Sequence, residues 1–584
     1  MGYFKCNNRV VIGLSLLYLG IRKGLIEKNI STMGTFVNPG NDSFLEDINS
    51  IIYVDKSPII IELNKLFRTN QKFICMSRAR RFGKTMITAL ISAYYSKHCN
   101  SREIFEGLKL SQYEGWDKHL NSINVIQIDI NGRYSNAIDK SQTIKQMQAD
   151  VVDELRKYFP TVQIADSATI ATAITTIYRE LKETFVIIID EYDVLVRDDS
   201  ATATLRKEYI SFLNSLFKDY ATKNAIALAY ITGILPVLRD RVESKLNNFV
   251  EYTMLNPKQF APYFGFTYQE VEGLCREMDA DFETCKFMYD GYLFKKPKHI
   301  SSQENNNGDP FMHVFNPSSV VQAITSGEYE GYWTATGAID GITYYLDSNI
   351  EGIQDDINDM LNGTRKISVS IGQYQNNVER FTSKDEAFTY LIHLGYLGYN
   401  PIDSSCFIPN GEIRQAWIDI MSKTKGFEAT QKMLKRGKAL IEATKAGDAE
   451  AVAVALDESH ADISSPLTYN KESSMQSAIL MAYFYARNEY IILSEVATGA
   501  GYADVVLVPA LRPLPVIIIE LKRDGEPEVA LEQIKSRNYA HAFRHNLCKG
   551  AVLVGVSYDS ESKRHRCVIE KVEECELWDI SPKI

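Results

Sequence analysis

The chain has few cysteines for its length and no excess of positive charge. Nine cysteines are scattered over 584 residues without a C-x-x-C pair. This argues against a structural zinc site or a disulfide scaffold and for a reducing compartment. The formal net charge is -10, so the chain as a whole carries no electrostatic footprint for nucleic acid.

Long hydrophobic runs are also lacking. The apolar run from Val10 to Ile21 is too short for a spanning helix, and no clear small-x-small cleavage site follows it. Met33 is a more suitable first residue, so we interpret residues 1–32 as an N-terminal extension or as the result of a mis-called start codon. We expect a cytoplasmic protein with no membrane partner. Its 584 residues are too many for one core, which predicts two to four domains.

The N-terminal half contains a phosphate-binding pattern. An apolar run at 72–76 precedes a loop that ends in Gly83-Lys84-Thr85, and apolar residues at helical spacing follow it to Tyr95. A strand, a loop and a helix in this order are the context of a P-loop. Lys84 would reach the β- and γ-phosphates of ATP, and the Thr85 hydroxyl would hold Mg²⁺. The predicted nucleotide-binding loop is Arg80, Arg81, Phe82, Gly83, Lys84 and Thr85.

A second element supports this interpretation. The apolar run at 184–189 ends in Asp190 and Glu191, as a Walker B strand does. Asp190 would act on Mg²⁺ and Glu191 would polarise the attacking water. The alternative is a buried parallel strand with an acidic end. Further strands at 123–130 and 225–231 complete a doubly wound parallel α/β sheet, and Thr232 follows as a polar sensor and nucleotide contact.

The C-terminal half contains two apolar strands with acidic residues. Asp504 lies in the first strand, and the second ends in Glu520-Leu521-Lys522. Because strand side chains alternate, Glu520 and Lys522 share a face. If the strands are neighbours, Asp504 lies beside Glu520. Two carboxylates and an ammonium suit a divalent metal and phosphodiester cleavage. The alternative is an exposed strand end with a surface salt bridge.

The order of these residues resembles the PD-(D/E)xK nuclease superfamily. The resemblance implies an α/β restriction-endonuclease-like domain, with Glu472 joining Asp504 and Glu520 in a Mg²⁺ shell and Lys522 activating water. Gln533 and Tyr539, on a helix predicted over 527–543, would orient Lys522 or contact the backbone. Glu495 is a second candidate acid, with a charge at the sheet edge as the alternative. Basic residues follow at Lys535, Arg537, Arg544, Lys549, Lys563, Arg564 and Arg566. They form either a local surface for nucleic acid or a solvated face of the protein.

Several motifs together resemble the AAA-ATPase-like family of bacterial proteins. They are Asn38-Pro39-Gly40, the stretch at 53–57, the loop at 78–85 and the stretch at 190–193. The family loop typically reads Arg-Pro-Arg-Arg-Phe-Gly-Lys-Ser, so Arg78 in place of the usual first glycine is typical. Ala79 and Thr85 are the departures. The resemblance spans about residues 34 to 558 and implies a PD-(D/E)xK domain at the C-terminus.

Between the two motif-bearing halves the sequence predicts a helical region. A helix over 385–393 followed by a hairpin is compatible with a winged-helix-like module, and a helical lid is the alternative. A helical hairpin is predicted over 428–460, with a break at Gly447-Asp448. The predicted domains are a P-loop ATPase at 33–255, the middle region at 256–425, a helical linker at 426–465 and the nuclease-like domain at 466–584.

Three functions remain open at this point. The first is an ATP-binding and ATP-hydrolysing protein coupled to a Mg²⁺-dependent nuclease that acts on DNA rather than RNA. The second is a nucleotide-dependent switch or nucleic-acid-binding protein with an inactive nuclease fold. The third is an ATPase-fold interaction protein without turnover. Arg239 and Arg241 are candidates for an arginine finger, with surface charge as the alternative, so the sequence leaves a homo-oligomer open.

Overall fold

The computed structural model describes most of the chain. The described residues are 10–12, 34–198, 200–236, 246–297, 310–333, 346–362, 366–371, 381, 383–463, 472–498, 501–511, 513–546 and 549–573. The chain divides into two compact units. The first comprises Met1–Phe282, Asp290–Glu328 and Ser368–Pro409; the second comprises Glu283–Tyr289, Tyr329–Ile367 and Asn410–Ile584. The middle region at 256–425 contributes to both units, and its bounds stay a prediction.

The part of the chain that the structure describes contains eighteen strands, which are numbered in chain order. They are β1 (Val10–Ile12), β2 (Ile52–Val54), β3 (Phe73–Ser77), β4 (Asn124–Asp129), β5 (Phe185–Asp190), β6 (Ile226–Gly233), β7 (Val250–Tyr252), β8 (Phe266–Thr267), β9 (Tyr292–Lys295), β10 (Phe311–Phe315), β11 (Ile367–Ser368), β12 (Gly398–Asn400), β13 (Ser405–Phe407), β14 (Tyr490–Ala497), β15 (Tyr502–Pro509), β16 (Val516–Arg523), β17 (Ala551–Asp559) and β18 (Arg564–Val572).

The α-helices are named by their bounds. Those before residue 300 are Asp42–Ile48, Ile59–Leu66, Lys84–Tyr95, Arg102–Glu106, Ile130–Asn136, Thr143–Tyr158, Ile170–Leu181, Val194–Arg197, Ala203–Phe217, Tyr220–Ala225, Tyr268–Met278 and Phe282–Tyr289. Those after it are Pro317–Ser326, Ile353–Asn362, Lys384–Leu394, Gly411–Met421, Glu428–Ala446, Ala449–Ile463, Glu472–Ala482 and Pro527–Ser536.

The first unit is built on a five-stranded parallel sheet in the order β4-β5-β6-β3-β7. Its strands are almost continuously apolar because both faces of the sheet are covered. In β5, Ile187 and Ile189 pack in one apolar core while Val186 and Ile188 pack in another. The predicted doubly wound α/β architecture is therefore confirmed. Asp190 at the end of β5 is brought beside the end of β4, where Asp129 is its register partner.

The second unit is built on a mixed five-stranded sheet in the order β14-β15-β16-β17-β18. Only β16 and β17 run parallel; the other neighbours are antiparallel. Leu521 packs in one apolar core together with Ile519, whereas Ile518 packs in the core on the opposite face. Strand alternation therefore places Glu520 on the face opposite Leu521, as predicted.

Two predictions of secondary structure in the second unit are wrong. The helix predicted over 527–543 ends at Ser536, because Asn538 takes a left-handed conformation with φ 48° and a 3₁₀ segment, Tyr539–Asn546, follows. The apolar run at 551–556 predicts a final strand that closes the sheet. It is an interior strand, since β18 pairs along its whole length and forms the edge.

The predicted helical hairpin and the predicted β-hairpin of the middle region are both present. The helical hairpin consists of Glu428–Ala446 and Ala449–Ile463, and Gly447 ends its first helix with a left-handed φ of 81°. The helix Lys384–Leu394 precedes the antiparallel pair β12 and β13; a winged-helix-like role stays a prediction. Within the described residues, no helix is both long and apolar enough to cross a membrane.

Candidate nucleotide and metal sites

The predicted phosphate-binding loop connects β3 to the helix that begins at Lys84. Gly83, which immediately precedes this helix, has a left-handed φ of 80°, a conformation that glycine adopts at little cost. The Lys84 Nζ donates to the carbonyl oxygens of Arg78 and Ala79, at 3.2 and 3.0 Å. Burial lowers the pKa of Lys84, opposed by the nearby carboxylates of Glu191, Asp193 and Asp190. The ammonium is therefore held inside the loop by carbonyl groups.

Thr85 and Asp190 meet although they are far apart in the chain. The Thr85 hydroxyl donates to Asp190 Oδ2 at 2.9 Å. Burial, and secondarily the charge of Glu191, raises the pKa of Asp190 to about 6, while the bond from Thr85 and the charge of Lys84 act in the opposite direction. A hydroxyl at a helix start and a carboxylate at a strand end supply the hard oxygen ligands that Mg²⁺ prefers. These residues fit a magnesium–nucleotide site.

Glu191 is held by an arginine that sequence reasoning missed. Its backbone has a left-handed φ of 50°, an uncommon state for a residue other than glycine. The Arg197 guanidinium lies 3.2 Å from a Glu191 carboxylate oxygen and donates from Nε to Asp193 Oδ2 at 2.8 Å. That Asp193 oxygen also accepts the N–H groups of Ile234 and Leu235. The spacing of four residues between Asp193 and Arg197 is typical of an ion pair on a helix, and it could have identified this contact from the sequence.

The other predicted nucleotide contacts have different environments. Thr232 is fully buried in β6, and its carbonyl accepts the Tyr192 N–H at 3.0 Å. Phe82 is buried and packs edge-to-face on Tyr292, with ring centroids 5.2 Å apart. Arg80 and Arg81 are half-buried. The structure therefore shows Phe82 in a packing contact, and nucleotide contacts by these residues stay a prediction.

Arg78 occupies the start of the loop as a fully buried side chain. One guanidinium nitrogen donates to the carbonyls of Ser77 and Tyr252, both at 2.8 Å. The rings of Phe264 and Phe294 flank the group, 4.9 and 5.4 Å from its central carbon. Burial lowers the pKa of Arg78 to about 9. Arg78 thus ties the loop to the strand β7 and to aromatic side chains beyond the sheet.

In the second unit, β15 and β16 are antiparallel neighbours, as the sequence argument required. Val505 pairs with Ile519, so Asp504 and Glu520 are the next opposed positions along the ladder. Asp504 Oδ2 accepts the N–H of Leu521 at 2.8 Å, which attaches this carboxylate to the neighbouring strand. The two acids are therefore brought to the same point of the sheet.

Glu520 is buried, with 2% of its surface exposed. Its Oε1 accepts from Lys522 Nζ at 3.4 Å and from the amide of Gln533. Among the described residues its Oε2 has no hydrogen-bond partner. Burial, and then the charge of Asp504, raises the pKa of Glu520 to about 7, partly opposed by Lys522. A buried, unpartnered carboxylate oxygen beside a second carboxylate fits a divalent cation.

The two supporting residues contact groups other than Lys522. The Gln533 amide donates to Glu520 and, at 3.3 Å, to the Tyr539 hydroxyl. Tyr539 in turn donates to the Tyr502 carbonyl at 2.9 Å. Sequence reasoning gave Gln476 no role, yet its amide donates to the Asp504 carbonyl at 2.8 Å. No local pattern identified Gln476, because the contact joins a helix to a strand.

The remaining acids do not complete a carboxylate cluster in the described part of the chain. Glu472 begins the helix Glu472–Ala482, but its side chain lies outside the described residues. Glu495 is exposed and has a left-handed φ of 52°, which favours the alternative of a charge at the sheet edge. Within the described residues, no group of three or more His, Cys, Asp or Glu side chains could hold a metal ion.

Several residues of the basic cluster are paired with acids. Lys535 lies 2.9 Å from Glu570, Arg564 lies 3.3 Å from Asp457 and Arg566 lies 2.7 Å from Glu526. These pairs favour the solvated-face alternative for those three residues. The side chain of Arg544 and the arginine-finger candidates Arg239 and Arg241 lie outside the described residues.

Comparison with known families finds two matches, one before and one after the middle region. Residues 41–243 match the family model described as "Predicted AAA-ATPase". Residues 470–567 match the model of the PD-(D/E)XK nuclease superfamily. The chain therefore contains an AAA-ATPase-like domain and a PD-(D/E)XK nuclease superfamily domain, and both predicted resemblances are confirmed.

Two further comparisons add little to the family assignment. No curated protein matches the chain. Among solved structures, the chain is similar to the ORC2 protein of Aeropyrum pernix in its ADPNP–ADP complexes. The identity is 10%, the TM-score is 0.22, and the match covers 62% of this chain and 91% of that chain. A TM-score this low does not show a shared overall fold.

Proposed function

We propose that this protein binds and hydrolyses ATP with Mg²⁺ in its first unit and cleaves DNA with Mg²⁺ in its second. DNA is favoured over RNA as the substrate, the site of action is the cytoplasm, and a homo-oligomer remains compatible with the chain. The observation that supports the proposed nuclease activity is the buried Glu520 carboxylate beside Asp504, which has one oxygen unpartnered among the described residues.

The proposed ATPase activity depends on residues of the phosphate-binding loop and on residues at the end of β5. Thr85 and Asp190 would hold Mg²⁺, which neutralises phosphate charge when bound. Lys84 would exchange its two carbonyl partners for phosphate oxygens. Glu191 would accept a hydrogen bond from water, once its carboxylate is released from Arg197.

The nuclease half assigns a role to each residue on the sheet. Asp504 and Glu520 would hold the cation, with Glu472 as a further ligand, and the cation would stabilise the charge that develops on the phosphodiester. Lys522, half-buried beside Glu520, would orient the attacking water. Gln533 would hold the Glu520 carboxylate in place, and Tyr539 would anchor Gln533 to the strand β15.

A second candidate is a nucleotide-dependent switch whose nuclease fold binds nucleic acid without cutting it. It is favoured by one observation: Asp504 Oδ2 accepts the Leu521 N–H and Glu520 Oε1 accepts from Lys522 and Gln533, so two of the carboxylate oxygens are already engaged within the fold. This candidate retains the role of Lys84 in nucleotide binding but predicts no cleavage on any substrate.

The test is Mg²⁺-dependent cleavage of plasmid and single-stranded DNA, with and without ATP. The wild type is compared with Lys84→Ala and with Glu520→Ala/Lys522→Ala, and Glu495→Gln serves as the matched control because this exposed acid lies at the edge of the same sheet. Loss of cleavage in the double variant, with an ATP effect that needs Lys84, supports the proposal. No cleavage by the wild type, with phosphate release that still needs Lys84, supports the switch.

A further inference from the structure

Arg537 differs from the ion-paired basic residues around it. Lys535, Arg564 and Arg566 each lie within ion-pair distance of an acid. Arg537 is exposed, and no carboxylate of the described chain lies within ion-pair distance of it. Its charge is consequently available to an anionic ligand. An exposed arginine alone is ordinary, so its position has to carry the argument.

The Arg537 guanidinium is held in one place by the fold. It donates from one terminal nitrogen to the Tyr539 hydroxyl at 3.2 Å. The side chain also lies over Gly501, where an added Cβ would come within 3.0 Å of this nitrogen and 3.1 Å of the Tyr539 oxygen. Glycine therefore permits the close approach of the guanidinium to the start of β15. Asp504 follows three residues later.

Hydrogen bonds connect this arginine to the candidate metal site. Arg537 contacts Tyr539, Tyr539 contacts Gln533, and Gln533 contacts the Glu520 carboxylate. The guanidinium is therefore three hydrogen bonds away from an acid that fits a cation. A planar fork whose other donors have no hydrogen-bond partner among the described residues, connected to such an acid, has the geometry that arginine uses for phosphate.

We propose that Arg537 binds a backbone phosphate of the nucleic acid that occupies the second unit. The inference rests on the proposed nuclease function and deepens it, because it assigns a substrate contact beside the Asp504 and Glu520 carboxylates. Those carboxylates repel a phosphate in the absence of a cation, and a fixed positive charge that is connected to Glu520 through Tyr539 and Gln533 offsets part of that repulsion. Phosphate contacts position a strand without reading its sequence, so this contact is sequence-independent.

The test measures binding apart from cleavage. A short fluorescein-labelled DNA, single-stranded or duplex, is titrated with the full chain in EDTA at several salt concentrations. Arg537→Ala is expected to weaken binding roughly threefold to tenfold and to reduce the slope of log K against log salt by about 0.7 to 0.9, the value for one phosphate. Arg537→Lys, which keeps the charge, is expected to retain most of the slope.

The matched control is Arg566→Ala, which removes an arginine of the same unit whose two terminal nitrogens contact Glu526. Its salt slope is expected to equal that of the wild type. A second probe is Gly501→Ala, which keeps the charge of Arg537 but shifts its guanidinium by a few tenths of an ångström; weaker binding with most of the slope retained is expected. Circular dichroism and thermal unfolding confirm that each variant is folded.

The outcomes separate this inference from the proposed function. If the wild type binds and cuts DNA and Arg537→Ala has an unchanged salt slope, the phosphate contact is wrong and the nuclease function stands. If the wild type binds DNA without cutting it and Arg537→Ala loses slope, the contact is supported and the nuclease function is wrong. If the wild type neither binds nor cuts any DNA, both are overturned.

Discussion

The two candidate sites place a buried acid at a strand end in different surroundings. In the first unit, Asp190 accepts a hydrogen bond from Thr85 and lies near the buried ammonium of Lys84. In the second, Glu520 has the amide of Gln533 and the partly exposed Lys522, and one of its oxygens has no partner among the described residues. The pKa is raised to about 6 for Asp190 and to about 7 for Glu520.

The difference follows from the type of sheet. In the parallel sheet, the loop after β3 and the start of the next helix lie near the end of β5, so backbone and hydroxyl groups surround the acid. In the mixed sheet, the antiparallel pair β15 and β16 sets two carboxylates opposite each other. The first arrangement is suited to a phosphate and its cation together, whereas the second sets two carboxylates side by side, a charge that either a proton or a cation would offset.

The largest expected effect distinguishes a metal-holding role of Glu520 from a structural one. Glu520→Gln removes the negative charge but keeps the shape, so cleavage of plasmid DNA with Mg²⁺ is expected to fall by about 10³-fold or more. Phosphate release from ATP is expected to stay unchanged. Equal cleavage by this variant and the wild type would contradict the assignment. Glu526→Gln, at an exposed position of the same unit, is the control.

The next effect tests the acid of the other site. Glu191→Gln is expected to lower ATP hydrolysis by about 10²-fold while nucleotide binding is retained, because the carboxylate would act on water rather than on phosphate. The measurements are phosphate release and titration with a fluorescent ATP analogue. Asp129→Asn is the matched control, since this exposed acid ends the neighbouring strand β4. Wild-type turnover in Glu191→Gln would overturn the role.

A third prediction concerns the competition between protons and cations in the second unit. Because the pKa of Glu520 is raised to about 7 without metal, Mn²⁺ or Mg²⁺ must displace a proton below that pH. Cation affinity is expected to rise about tenfold per pH unit below pH 7 and to level off above it. Isothermal titration calorimetry in buffers of different ionisation enthalpy measures the proton release. A pH-independent affinity would be inconsistent with Glu520 as a ligand.

The smallest effect is on stability in the absence of metal. The folded pKa of Glu520 lies above its ordinary value of 4.5, so between about pH 4.5 and 7 the native state holds a proton that the unfolded state has released. Stability therefore falls as pH rises through this window. Glu520→Gln is expected to raise the free energy of unfolding at pH 8 by about 1–2 kcal/mol, with less gain at pH 4.

Denaturant unfolding in EDTA at the two pH values measures this difference. Asp129→Asn again serves as a control, because an exposed acid has no such burial to relieve. An equal change at both pH values would indicate that Glu520→Gln acts through packing instead of through the carboxylate charge.

Much of the fold could be predicted because it depends on local patterns. The apolar run before Lys84 and the run before Asp190 are buried strands, as their composition indicated. The strand β18 was not predicted, because seven of its nine side chains are exposed or half-buried and give no clear apolar signal. The predicted helix over 527–543 is too long, because Asn538 takes a left-handed conformation that the α-helix cannot include.

The sequence by itself determined which short segments become strands or helices and indicated which residues are candidates for the chemistry, because both depend on neighbours along the chain. Only the tertiary structure decided their partners. Thr85 meets Asp190 at a separation of 105 residues, and Arg537 is joined to Glu520 through Tyr539 and Gln533. The burial and charge that shift a carboxyl pKa arise from packing between distant segments, so no local pattern contains them.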